Sequence, residues 1–306
     1  MQDKGDMKEL KEVTWSWRDD NYAKNTVGQF CLRFITWNPG LSTRQNLQVP
    51  KWIAWAPIVA LQETSKELER DLSLEGWKIV KNPDGNTAVA THGEVVPDLE
   101  LVFAETKWRD DTKKKWIYDF TIARLNTQHL NRFPHSITVA SVHYEANSAT
   151  RNVGTSITNI QNILEKCYEN WVDVIALDGN QSIYPRNDRR YSAWCEAWRT
   201  LAFEKNTRIP TLLKHKDDCV GLYITPWSPL WGHKGGHFGI FDVSNEELGL
   251  RETDQDSHRM IFLRLKLKSG GNRSAEAWRI REERRPTKRS WNWENTPSSS
   301  KVQKKW

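Results

Sequence analysis

The stretch from Ser136 to Asn180 leaves the fewest choices of fold. Ser136 to His143, with Ile137, Val139 and Val142 apolar, predicts a strand, and Thr155 to Tyr168 carries Ile157, Ile160, Ile163 and Leu164 at helical spacing. Val172, Val174, Ile175, Ala176 and Leu177 then form an apolar run that reads as a buried strand. Strand, helix and strand in succession call for a mixed or parallel sheet with helices on its outer face. The last run leads into Asp178–Gly179–Asn180. Carboxylate and amide are expected to emerge together where the strand ends and to point the same way, with Gly179 letting a ligand or the backbone come close. Taken alone, such a triplet is equally a turn.

The rest of the chain supplies further strands that end in polar residues. Cys31 to Trp37 alternates and runs into the turn signal Asn38–Pro39–Gly40. After a short amphipathic segment near Leu47 to Trp55, Pro57 to Leu61 reads as a second buried strand, ending in Gln62–Glu63–Thr64. A helix is expected over Ser65 to Leu72, then a hairpin of Gly76 to Val80 and Thr87 to Ala90 turning at Asn82–Pro83–Asp84–Gly85. Trp116 to Leu125 is another strand, Tyr191 to Phe203 a helix, and Val220 to Thr225 a strand preceded by Asp217–Asp218. Trp227 to Gly239 looks like a loop, and Asp256–Ser257–His258–Arg259 precedes a last alternating strand, Met260 to Leu267. No repeat at solenoid or propeller period is seen.

Length allows one large domain with extensions or two ordinary domains, and composition favours one large domain with tails. The 306 residues suffice for a large α/β domain with extensions, and a mean hydropathy of −0.74 is what long polar termini produce. We divide the chain into a polar extension (1–29), a central body (30–268) and a basic, Trp-bearing, disordered tail (269–306). The net charge of +6 suggests an anionic partner, and it is concentrated at the C-terminus: from Lys268 onward there are 11 Lys/Arg against 4 Asp/Glu. Cys31, Cys167, Cys195 and Cys219 show no pairing motif and read as reduced, buried thiols. With a charged N-terminus and no apolar run of membrane-spanning length, the chain reads as a monomeric intracellular protein without a membrane partner.

Asn38, Glu63, His143, Asp178 with Asn180, and His258 with Asp256 nearby thus each lie at a strand boundary. Singly, Asn38 reads as a turn residue, Glu63 as a helix-capping acid and each His as a structural one. Together, polar groups at the ends of five separate strands make a site. The motifs Phe34–Ile35–Thr36–Trp37–Asn38, Val59–Ala60–Leu61–Gln62–Glu63–Thr64, Val139–Ala140–Ser141–Val142–His143 and Ala176–Leu177–Asp178–Gly179–Asn180, with a terminal Asp/His before an alternating strand, resemble the endonuclease/exonuclease/phosphatase superfamily. The match runs over residues 31–267. Within the superfamily, Trp37 to Ser42 and the basic tail look most like the nuclease domains of LINE-type retrotransposons.

The resemblance implies an α/β fold, a four-layer α-β-β-α sandwich of two mixed sheets flanked by helices, with the site at one end. Glu63, helped by Asn38, would hold Mg²⁺ or Mn²⁺, for which a hard carboxylate and an amide oxygen with open water positions are suited. Asp178 would orient or deprotonate the attacking water and Asn180 would fix it or the phosphate. His258 would donate to the scissile phosphate, with His143 as a second phosphate-side histidine. A cationic His258 needs a carboxylate behind it, and Asp218, or failing that Asp217, is the candidate. In similar position, pancreatic-type deoxyribonucleases, sphingomyelinases, deadenylases and inositol phosphatases carry His, whereas abasic-site endonucleases carry Tyr; strand alternation favours His143 over Tyr144. One departure stands out. The family pattern ends with the acid directly before His, whereas here Ser257 separates Asp256 from His258, which moves the acid to the other face of a strand. A bulge would restore Asp256 as a metal ligand; otherwise another acid such as Asp254 replaces it or the site lacks it.

The leading expectation is a Mg²⁺-dependent endonuclease that hydrolyses phosphodiesters of DNA in preference to RNA, nuclear if of retroelement type and otherwise cytoplasmic. Arg284, Arg285, Lys288 and Arg289 offer phosphate contacts, and Trp291 and Trp293 stacking platforms. The alternatives are a phosphoesterase for a small-molecule or lipid phosphate, since fold and metal site do not set the substrate, and a catalytically impaired nucleic-acid-binding relic.

Overall fold

The computed structural model describes residues 30–40, 56, 58–93, 98–109, 116–127, 136–144, 153–182, 218–225, 228, 237–240 and 261–267. The N-terminal extension, the predicted helix over 191–203, the segment near 47–55 and the tail lie outside these.

Two mixed sheets form the centre. The first has six strands in the order β10-β11-β1-β2-β4-β3: β1 Phe30–Trp37, β2 Ile58–Leu61, β3 Trp77–Lys81, β4 Ala88–His92, β10 His237–Ile240 and β11 Ile261–Leu267. The second has five in sequence order, β5 Asp98–Trp108, β6 Trp116–Asn126, β7 Ser136–Tyr144, β8 Val174–Ser182 and β9 Asp218–Ile224. They face each other: β2 meets β7, β4 meets β6 and β7, and β9 meets β1 and β11. Helix α1 spans Lys66–Leu74 beside β3, and α2 spans Val153–Glu169. This is the two-sheet α/β sandwich expected from the sequence.

Alternation along β6 gives its two sets of side chains different surroundings. Tyr118, Phe120 and Ile122 turn outward into one cluster with Ile160, Ile163, Leu164 and Cys167 of α2, each buried aliphatic side chain contributing about 1.5–3 kcal/mol. Asp119 and Thr121 turn inward, where both bond Thr87 of the opposite sheet. Cys167 is a free, buried thiol whose burial raises its pKa well above the ordinary range.

The parallel pair β7–β8 is locked at its far end. Asp173 accepts from the Thr138 amide at 2.9 Å through its side chain and donates its own amide to the Thr138 carbonyl at 2.7 Å. That double contact sets the register Val139↔Val174, and five residues on from Thr138 and Asp173 the same register brings His143 opposite Asp178. A slip of one residue would turn one of the two away from the sheet interface.

Candidate active site

Both parallel pairs run toward one end of the sandwich. In the first sheet, Trp37 is the last residue of β1 and pairs with Leu61 of β2, and the Gln62 amide extends the ladder by donating to the Trp37 carbonyl at 3.1 Å. Asn38 follows β1, and Glu63 follows Gln62. In the second sheet, His143 and Asp178 are the last parallel partners.

Each side chain is held by a specific local device. Asn38, 2% exposed, accepts from the Gly40 amide at 2.8 Å through Oδ1 and donates Nδ2 to Asp178 Oδ2 at 2.6 Å, across the two sheets. Asp178 is buried inside β8 rather than at its end, next to an irregularity between Asp178 and Gln181 in the β8–β9 ladder. The extra residues are Gly179 and Asn180, and it is Asn180, not Gly179, that takes the left-handed conformation with φ 46°. Asn is among the few non-glycine residues that enter that region readily. The Asn180 amide donates to Asp178 Oδ1 at 3.0 Å, and its Nδ2 donates to the Tyr144 carbonyl at 2.6 Å.

Glu63 does not cap a helix. Ser65 is the N-cap of α1, its Oγ accepting from the Leu68 amide at 3.2 Å. The Glu63 backbone has φ 51°, and its carboxylate lies 3.2 Å from His143 Nε2. Nε2 is 3.9 Å from Asp178 Oδ2 and 3.2 Å from Asn180 Nδ2. His143 Nδ1 is buried and has no hydrogen-bond partner among the described residues. The ring packs against the half-buried Trp116 indole, centroids 4.6 Å apart and planes inclined by 55°. Tyr144 points the other way, into the cluster beneath α2, as strand alternation requires.

Asn38, Glu63, His143, Asp178 and Asn180 therefore converge. The backbone of Asp218 opens β9 opposite Ser182, just beyond the β8 irregularity formed by Gly179 and Asn180. His258 and Asp256 lie outside the described residues; the strand they precede, β11, starts at Ile261 opposite Thr36, at the site end of β1. Arg284, Arg285, Lys288, Arg289, Trp291 and Trp293 also lie outside them.

Residues not assigned a role from sequence also build the site. Gln62 and Ser141 form a buried bond between the sheets, and Trp116 packs on the imidazole. The signal for the first two was present: a polar residue within or directly after an apolar strand must find a partner when buried.

Among the described residues no group of three or more His, Cys, Asp or Glu is arranged to hold a metal ion. Glu63 and Asn38 nevertheless carry oxygen donors of the kind a hard cation takes. Two carboxylates, Glu63 and Asp178, approach a single imidazole nitrogen. The Glu63 side chain is 24% exposed and Asp178 only 1%; a hard, accessible carboxylate with room for water suits Mg²⁺. Asn38 could join through the second lone pair of Oδ1.

No protein-family model matches the chain, and no curated protein sequence matches it. Solved structures similar to it include the human Nocturnin catalytic domain with bound sulfate, at 11% identity over 78% of this chain and 94% of that chain, TM-score 0.45. An endonuclease/exonuclease/phosphatase from Beutenbergia cavernae DSM 12333 is 14% identical over 78% of this chain and 72% of that one, TM-score 0.44. ANGEL2, a 2′,3′-cyclic phosphatase, is 11% identical over 79% and 97%, TM-score 0.49. The chain's own sandwich, and the order in which its strands deliver Asn38, Glu63, His143 and Asp178, agree with the resemblance to the endonuclease/exonuclease/phosphatase superfamily. No helix among the described residues is long and apolar enough to cross a membrane.

Proposed function

We propose that the chain is a divalent-metal-dependent phosphodiesterase of that superfamily, acting as an endonuclease on DNA in the manner of retrotransposon nicking enzymes. The observation that carries this reading is the meeting of Glu63, His143 and Asp178, from both sheets, around one imidazole nitrogen. Glu63, with Asn38, would hold Mg²⁺ or Mn²⁺, which would supply charge neutralisation at a phosphate oxygen and stabilisation of the leaving group. Asp178, its two oxygens fixed by Asn38 and Asn180, positions the attacking water and takes its proton. His143 presents its ring to the phosphate side, and Asn180 secures the end of β7. His258, backed by Asp218, donates to the phosphate, and Asp256 completes the metal site if its backbone bulges.

The partly exposed Trp116 ring favours a base-bearing substrate over an inositol phosphate, because an indole stacks on any base. The test is plasmid nicking with Mg²⁺ or Mn²⁺ in the wild type and in Asp178→Ala and Glu63→Ala. Metal-dependent nicking in the wild type alone supports the assignment. Nicking that survives both changes rejects the site, no nicking under any condition points to the binding relic, and competition by phosphoinositides rather than DNA points to a lipid phosphate.

The basic tail is assigned to nucleic-acid binding. Affinity of the full chain for DNA is then expected to fall steeply with salt, and deleting residues 270–306 to flatten that slope, each lost phosphate contact lowering it by about 0.9. An unchanged slope would sink the tail's role.

A further inference from the structure

We propose that Gln62 is the positioning residue of this site, a clamp whose amide holds the two sheets at the spacing that catalysis needs; the inference rests on the phosphodiesterase reading. Gln62 is fully buried between the sheets. Its Oε1 accepts from Thr36 Oγ1 at 3.1 Å, and its Nε2 donates to Ser141 Oγ at 2.9 Å. Ser141 in turn gives its one proton to the Leu61 carbonyl at 2.6 Å, so the amide is oriented and its donor end must face β7.

The sequence spacing gives this bond its significance. Thr36 precedes Asn38 by two residues, Gln62 precedes Glu63 by one, and Ser141 precedes His143 by two. One side chain therefore ties together the strands that deliver amide, acid and imidazole. Apolar contacts between sheets are non-directional and would allow the sheets to slide; a buried hydrogen-bonded amide does not. Glu63 needs this support because its left-handed backbone costs about 1 kcal/mol or more and persists only where its surroundings over-determine it. Gln62 restrains it from one side through both side chain and backbone, and the Thr64 amide, donating to the Asn86 carbonyl at 2.8 Å, restrains it from the other.

The experiment compares Gln62→Leu, Ser141→Ala, their double variant and a control, Thr225→Val. Thr225 Oγ1 donates to the Val172 carbonyl at 2.6 Å, next to the Ile224↔Val174 pair at the opposite end of β8. Gln62→Leu is expected to lower kcat by roughly 10- to 100-fold with KM within about threefold, the signature of lost alignment rather than lost binding. Ser141→Ala, a smaller truncation that leaves the fold least disturbed, is expected to lower kcat less, and the double variant to be no worse than Gln62→Leu. Thr225→Val should lower the melting temperature comparably and leave kcat unchanged. Exchange of the Gly40 and Asn180 amide hydrogens, which bond Asn38 and Asp178, reads the same geometry without catalysis and should quicken about tenfold in Gln62→Leu beyond any global change. Equal kcat in Gln62→Leu and the control, or additive effects of Gln62 and Ser141, overturns the clamp. A wild type that hydrolyses nothing while those two amides still loosen overturns the proposed function and leaves the clamp standing.

Discussion

Asp178→Asn is expected to lower metal-dependent hydrolysis by about 10³-fold or more, in the range of a lost general base, and to lower stability by about 1–3 kcal/mol. The stability loss follows from the direction of the hydrogen-bond chain. The Gly40 amide donates to Asn38 Oδ1, Asn38 Nδ2 donates to Asp178 Oδ2, and the Asn180 amide donates to Asp178 Oδ1. Two donors thus converge on the side chain at 178, and an amide there must turn its NH₂ toward one of them. Flipping Asn38 only moves the conflict to Gly40. A compensating change separates the two effects. Adding Asn38→Asp to Asp178→Asn restores these three donor–acceptor matches, because the acid at 38 accepts from Gly40 and from the new amide. The double variant is therefore expected to regain stability in urea denaturation while remaining inactive, since the charge has moved from the water-positioning carboxylate to a neighbour. Recovery of activity together with stability would show that a carboxylate at 178 is not itself required.

The parts of the fold that were legible in the sequence are those buried on both sides. β7 and β8 alternate or run apolar because they are buried on both faces, α2 shows helical spacing because one stripe packs into the cluster with β6, and their lengths match expectation to within a few residues. β5 passed unnoticed although it is among the longest strands. It is an edge strand, most of its residues are half-buried or exposed, and its pairing with β6 is irregular between Leu101 and Phe103, so no clean period of two survives. β10, His237–Ile240, lies at the other sheet's edge, is four residues long and contains Gly239, and its segment reads as loop. The site divides in the same way. Strand-end Asn38, Glu63 and His143 stand out because polar groups follow or close apolar runs. Local sequence does not reveal that Ser65 rather than Glu63 caps α1, or that Asn180 rather than Gly179 carries the positive φ; those outcomes depend on partners in other strands, Glu63 being drawn to His143 and Asn180 to Tyr144.

Asp119→Ala is expected to cost about 3 kcal/mol or more of stability, because several buried donors would be left unsatisfied at about 1–3 kcal/mol each. Asp119 is 2% exposed. Its Oδ1 accepts from Asn82 Nδ2 at 2.5 Å and Thr87 Oγ1 at 3.1 Å, and its Oδ2 from the amides of Asn86 at 2.5 Å and Thr87 at 2.9 Å. The β3–β4 turn is thereby fastened to β6 opposite His143, and the same turn, through the Asn86 carbonyl, receives the amide of Thr64 beside Glu63. Burial raises the Asp119 carboxyl above the ordinary range while the bonds from Asn86, Asn82 and Thr87 pull it back. With the folded value above the unfolded one, the group's titration-linked stabilisation is complete below the ordinary carboxylate range and is lost as pH rises through the raised value. Urea denaturation across that interval should show the advantage of wild type over Asp119→Ala shrinking as pH rises. Gly85 supplies an independent check on the same contact. A methyl group there would collide with the Asp119 carboxylate, so Gly85→Ala must displace the carboxylate or the turn and is expected to destabilise the protein by itself. In the Asp119→Ala background that obstacle is gone, and the second substitution should cost far less than it does in wild type. Simple additivity of the two would mean that turn and carboxylate are not in contact in solution.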